Sequence, residues 1–202
     1  MGIYLELKKT INDVYINGDY KKILGQKYEG DDFKNWQLKI KDQIVGDQVI
    51  HSDTAGFNPS YTAFINFKEK QNTVFFKAVY FFYLRKSIIG NYVTCYGIIR
   101  TTLVYHKDDR IKYPDMFIVS PVGPFQGYFK EGWKLLHKLY PNSTYVNYYQ
   151  LSRKVDEFTL PGEKESTIYD LIFGRYGENP KMASGDKYYD PSGLGPPRFF
   201  ES

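Results

Sequence analysis

The sequence predicts an α+β fold built on a central, mostly antiparallel, aromatic-rich β-sheet. Three observations lead there. The 202 residues include 20 Tyr and 15 Phe but only four Ala, a usage that suits pleated, half-buried strands and disfavours a mostly helical chain. Long apolar runs at 61–67, 73–84 and 92–105 follow one another across short polar connectors, the pattern of consecutive antiparallel strands. Two stretches, 3–16 and 128–140, carry apolar residues at helical spacing and supply helices to pack on the sheet.

In chain order, Ile3, Leu7, Ile11, Val14 and Tyr15 share one helical face, and Asn17-Gly18 ends that helix through the left-handed cap glycine favours. Tyr20 to Leu24 reads as a short helix, and Trp36 to Ile40 alternates as a short strand does. Gly46, Gly56 and Pro59 mark loops. Tyr61 to Phe67 alternates, with Tyr61, Ala63, Ile65 and Phe67 on one face. Thr73 to Leu84 is apolar on both faces, which predicts protein cover on each side. Tyr92 to Tyr105 and the shorter Met116 to Val119 add strands, with Arg85 to Asn91 as a connector. Phe129, Trp133, Leu136 and Tyr140 form the stripe of the second helix, which Pro141 stops. A further strand is expected over Tyr145 to Leu151. Ser166 to Phe173 reads as a short helix capped by Ser166 and ended by Gly174. Residues 1–173 form the expected domain. The Gly- and Pro-rich residues 174–202 are read as a docking arm, because Tyr188, Tyr189, Phe199 and Phe200 are bulky anchors that a solvated tail lacks.

A chain of this length buries roughly 70% of the surface it exposes when unfolded, enough for a core without staples. The one cysteine, Cys95, allows no disulfide within the chain and lies in an apolar run that suits a buried thiol. The longest apolar stretch, Val79 to Leu84, falls short of the about 20 residues that span a bilayer. With no basic-then-apolar start, the expectation is a cytoplasmic protein, or one assembled in a cytoplasm into a larger particle, with no membrane partner.

No catalytic, cofactor or metal residues are assigned. His51, His106 and His137 sit in separate segments, each read as a loop or surface residue, and none has a second ligand at zinc spacing. His51-Ser52-Asp53 is triad-like only in adjacency, because a nucleophile elbow needs glycines on both sides of its serine. Neither Gly174-Arg-Tyr-Gly177 nor Gly193-Leu-Gly195 carries the lysine-serine ending of a phosphate loop. Asp108-Asp109 between Lys107 and Arg110 reads as a solvated turn.

Charge is unevenly spread. Residues 1–60 carry a net −1, residues 61–140 a net +7 and residues 141–202 a net −2, an asymmetry that points to an acidic partner. Lys68, Lys70, Lys77, Arg85, Lys86 and Arg100, among Phe75, Tyr83, Tyr92 and Tyr96, hold the ingredients of a nucleic-acid surface, although six Arg in 202 residues form no compact cluster. Tyrosine in such excess favours protein contact, since each buried hydroxyl needs a hydrogen-bond partner. The expected interface residues are Tyr83, Tyr92, Tyr96, Tyr188, Tyr189, Phe199 and Phe200. The leading expectation is thus a non-catalytic assembly protein, of the kind found among phage or viral structural components, whose arm docks on a neighbouring subunit. The partner is a copy of itself or a heterologous subunit. An immunity or inhibitor protein that neutralises a toxin or enzyme through a tyrosine-rich surface is the alternative, and nucleic-acid binding the lesser one.

Overall fold

A computed structural model describes residues 2–28, 31–43, 49–52, 59–67, 76–103, 115–119, 126–151, 153–161, 164–174 and 181–182. Five strands, β1 (Val49–Ser52), β2 (Ser60–Phe67), β3 (Phe76–Ser87), β4 (Tyr92–Leu103) and β5 (Asp115–Val119), lie side by side in chain order, each antiparallel to the next. Two short strands join them in parallel: β6 (Thr144–Tyr145) pairs with β4, and a last strand at Lys181–Met182 with β5. The helices are α1 (Ile3–Ile11), α2 (Tyr20–Tyr28), α3 (Asp32–Gln43), α4 (Gln126–Leu139), α5 (Tyr148–Leu151) and α6 (Ile168–Ile172).

The expected α+β sheet is present, and its long strands run as the apolar runs indicate. The central strand extends past Leu84 through Arg85 and Lys86 to Ser87, so the turn shrinks to Ile88–Asn91. Side chains from Phe81 to Arg85 are all buried, as a strand apolar on both faces requires. On one face α4 lies across the sheet. Phe129 meets Phe82 edge-on with ring centroids 5.2 Å apart, and Gly132 brings the helix backbone down onto Phe82 and Leu84. Trp36 and Phe33 of α3 cover Tyr61 on the same face. On the other face Arg85 and Tyr96 meet α6 and the residues just after it, while Thr94 donates to the Val146 carbonyl between β6 and α5. There α1 closes over α6: Tyr15 donates to the Leu171 carbonyl at 2.8 Å.

Helix α1 continues into a π-helical turn over Asn12–Ile16, so Leu7, Ile11, Val14 and Tyr15 stay on one buried face as their spacing predicts. Three local expectations need correction. Trp36 to Ile40 is helical, within α3, because Phe33, Trp36 and Ile40 make an inward stripe at helical spacing while Leu38 is 58% exposed. Tyr145 to Leu151 is not one strand. Pairing stops at Tyr145, and Asn147 and Gln150 cap each other's backbone N–H at 3.0 and 3.2 Å, which opens α5. The cap of α6 is Thr167, not Ser166. Its hydroxyl accepts from the Asp170 N–H while the Asp170 carboxylate accepts from the Thr167 N–H, and Ser166 belongs to a two-residue strand paired with Lys154–Val155. Gly174 ends the helix with φ 80°, the left-handed conformation expected there.

Among the described residues no helix is long and apolar enough to cross a membrane. Residues 175–180 and 183–202 of the expected arm 174–202, the stretch 104–114 with His106 and Asp108-Asp109, and Lys68, Lys70 and Phe75 lie outside the described residues.

Candidate functional site

Two built polar places stand out, one on each face of the sheet. The first surrounds Arg85. Alternation along β3 puts Phe81, Tyr83, Arg85 and Ser87 on one face, and the β4 register sets Tyr96 beside Tyr83. The two rings stack at 5.3 Å with 9° between planes. The Arg85 guanidinium, 1% exposed, lies 5.8 Å from the Tyr83 and Tyr96 ring centres and 5.0 Å from that of Tyr169. Aromatic faces suit a desolvated guanidinium, but the directional bonds go to backbone. Arg85 Nη1 donates to the Phe173 carbonyl at 2.9 Å and to the Gly174 carbonyl at 2.7 Å. These carbonyls close the C-terminal end of α6, where partial negative charge gathers.

Neighbours extend the same arrangement. Ser60 Oγ also donates to the Phe173 carbonyl, and Ser87 Oγ donates to the Ile172 carbonyl at 2.9 Å. With Tyr15 on Leu171, four consecutive carbonyls from Leu171 to Gly174 accept from side chains of α1's extension, β2 and β3. Burial pushes the Tyr96 hydroxyl well above its ordinary pKa despite the opposing pull of Arg85, so it stays neutral and hydrogen-bonds Tyr169 at 2.9 Å. The Arg85 guanidinium, a permanent cation, lies beside that hydrogen-bonded pair and holds the Phe173 and Gly174 carbonyls, the point from which the chain continues.

The second place is a cleft of about 350 Å³ between α3, the end of α4 and the β3–β4 turn. Trp36, Tyr61 and Tyr140 give it aromatic walls, with Trp36 and Tyr140 stacked at 6.0 Å. Lys39 Nζ and Lys86 Nζ lie 5.5 and 5.6 Å from the Tyr140 ring centre. The Lys86 ammonium is aimed by the Gly90 carbonyl at 3.2 Å and by Asn91 Oδ1 at 3.4 Å. Asn91 is itself held by the Asn142 carbonyl and by Ser143. Asp32 and Asn35 complete the rim. Burial, helped by Tyr61 and Asp32, pushes the Tyr140 hydroxyl up to about 12, so it remains a neutral hydrogen-bond donor.

Of the expected interface residues, Tyr83, Tyr92 and Tyr96 are only 3%, 7% and 0% exposed. Tyr83 and Tyr96 belong to the Arg85 surroundings, and Tyr92 shares a hydrogen bond with Thr10 at 2.8 Å. The hydroxyls of Tyr92 and Tyr96 and the ring of Tyr83 are engaged inside the fold, so these three offer no open surface. Tyr188, Tyr189, Phe199 and Phe200 lie outside the described residues. Arg85, one of the cations read as available to phosphate, is buried, and Lys86 faces the cleft. His51 sits within β1 rather than a loop, and exposed His137 stacks on Trp133 at 5.5 Å. Cys95 is buried, and burial pushes its thiol up to about 12. Among the described residues, no three His, Cys, Asp or Glu side chains gather as metal ligands would.

Sequence reasoning missed the roles of Arg85, Ser60, Ser87, Trp36, Lys39 and Tyr140. A signal for Arg85 existed: continuing the alternation of β3 by two residues places it on the tyrosine face. The cleft had no comparable signal, because its residues come from four separate segments. No protein-family model, curated protein or solved structure matches this chain.

Proposed function

We propose that the chain is a non-catalytic assembly protein whose segment beyond Met182 docks on a neighbouring copy. The supporting observation is the held chain that leads toward that segment: the four carbonyls of Leu171 to Gly174 are each held by a side chain from elsewhere in the fold, and Lys181–Met182 pairs with β5. A held root lowers the entropy lost when an attached segment binds, because the anchor point is already placed. Residues 183–202 are twenty in number and include Tyr188, Tyr189, Phe199 and Phe200, the residue types that dominate binding energy at interfaces. Fully extended, such a segment reaches at most about 70 Å. That exceeds the about 40 Å width of a globular unit of this size, so it can cross onto a second copy.

The test compares the full chain with one ending after Met182, by sedimentation equilibrium over a range of concentrations. The full chain is expected to self-associate and the shortened chain to stay monomeric with an unchanged urea midpoint. A full chain that remains monomeric throughout, or a shortened chain that associates equally well, overturns the proposal.

A further inference from the structure

The cleft on the opposite face has the makings of a ligand site, and we propose that it binds an aromatic ring bearing one carboxylate. This goes beyond the docking reading and is independent of residues 183–202. Its volume of about 350 Å³ falls at the small end of ligand pockets, room for a single ring with a short acidic substituent. Half-buried Tyr140 supplies the stacking surface, and Trp36 and Tyr61, 1% and 6% exposed, line the cleft beside it. Lys39 and Lys86 flank Tyr140 with two ammonium groups against the single carboxylate of Asp32, which leaves the rim net positive. The aimed Lys86 ammonium and the neutral Tyr140 hydroxyl are donors at one wall, a set suited to an acceptor-only carboxylate.

Trp36 also serves as a reporter, because it lines the cleft and its indole N–H, in a residue 1% exposed, has no hydrogen-bond partner among the described residues. Lys86 and Asn91 already have partners in the fold, whereas Lys39 projects from an exposed position on α3, so Lys39 is the residue whose charge can be altered with least effect on folding.

The experiment follows the Trp36 indole resonance in ¹H–¹⁵N spectra of the full-length Trp133→Phe variant, in which Trp36 is the sole tryptophan. Benzoate is expected to give a saturable shift with a dissociation constant of about 1 mM or below. Benzyl alcohol, the same ring without the charge, and acetate, the charge without the ring, are each expected to bind at least about tenfold more weakly. Adding Lys39→Glu should weaken benzoate by about tenfold or more while the urea midpoint stays in place. The proposal is overturned by the absence of a saturable benzoate shift, by benzyl alcohol or acetate binding as well as benzoate, or by Lys39→Glu leaving affinity unchanged. Should Trp133→Phe fail to fold, the two indole signals of the natural sequence are followed instead, with the same outcomes.

Discussion

Arg85 shows how one residue can join several parts of a fold. Its guanidinium gives up water, which is costly, and recovers that cost through two carbonyl acceptors and three aromatic rings. Removing the charge leaves the Gly174 carbonyl without the donor the structure gives it. Arg85→Met is therefore expected to destabilise by about 2–4 kcal/mol. Arg85→Lys keeps the charge but loses the planar guanidinium that lies among three rings while its Nη1 reaches both carbonyls, and is expected to lose about 1–2 kcal/mol. Urea unfolding measures both, and a Met variant as stable as the original would show that the rings and carbonyls do not depend on the cation. Cys95 gives a pH prediction. Its thiol titrates near 12 in the folded chain against an ordinary 9, so the folded state holds its proton more tightly. Its contribution is fully present below pH 9 and is lost as pH rises from 9 toward 12. Stability should fall over that window, and Cys95→Ala should make the fall between pH 9 and 10 shallower, leaving the part that the raised Tyr96 and Tyr140 hydroxyls add as pH approaches 10. An equally steep decline in the variant would assign the loss to other groups.

At the scale of elements, α4 depends on a glycine. A Cβ on Gly132 would come within 2.7 Å of the Phe82 ring and 3.0 Å of Leu84. Alanine gains about 1 kcal/mol of helix propensity over glycine, whereas overpacking against a buried ring costs about 1–3 kcal/mol. Phe82 is fully buried and already wedged against Phe129, so it has little room to yield and the second effect wins. Gly132→Ala is expected to lower stability by about 1–2 kcal/mol, and a rise in melting temperature would contradict the packing of α4 on β3. The sequence did not mark Gly132, since glycine inside a helix shows no periodicity of its own. The long strands and α4 were legible because burial on fixed faces leaves a clear period in the residues. Trp36 to Ile40 misled because exposed Leu38 mimics strand alternation. Tyr145 to Leu151 misled because the Asn147–Gln150 cap pair was outweighed by β-favouring tyrosines, although that pair and the Thr167–Asp170 pair were both visible as short-range signals. The cleft was illegible for a different reason. Its walls meet only after β2, β3, α3 and α4 have packed, and no local pattern encodes that meeting.

Across the whole molecule, α1 and its extension close on residues between Lys154 and Leu171. Tyr4 donates to the Lys154 carbonyl, Lys8 pairs with Glu157, Tyr15 donates to Leu171, and its ring packs on Phe158. Helix α6 lies between α1 and the sheet, so Ile168, Leu171, Ile172 and Phe173 are each fully buried. Four such side chains contribute roughly 6–12 kcal/mol of burial, as large as the whole net stability of an ordinary domain, about 5–15 kcal/mol. A chain ending at Thr167 should therefore lose cooperative folding, although every long strand remains in it. It would also bare the faces of Tyr15 and Tyr96 that α6 covers. A chain ending at Met182 retains α6, its carbonyl contacts and the short strand beside β5, and should unfold in a single transition. Far-ultraviolet dichroism and tryptophan fluorescence, followed together through a urea titration, distinguish the two. Coincident curves are expected for the chain ending at Met182, and a broad, non-coincident response for the chain ending at Thr167. If the shorter chain instead unfolds cooperatively at the same midpoint, α6 is an appendage to the sheet. The Arg85 contacts would then secure a segment that the rest of the molecule does not need for folding.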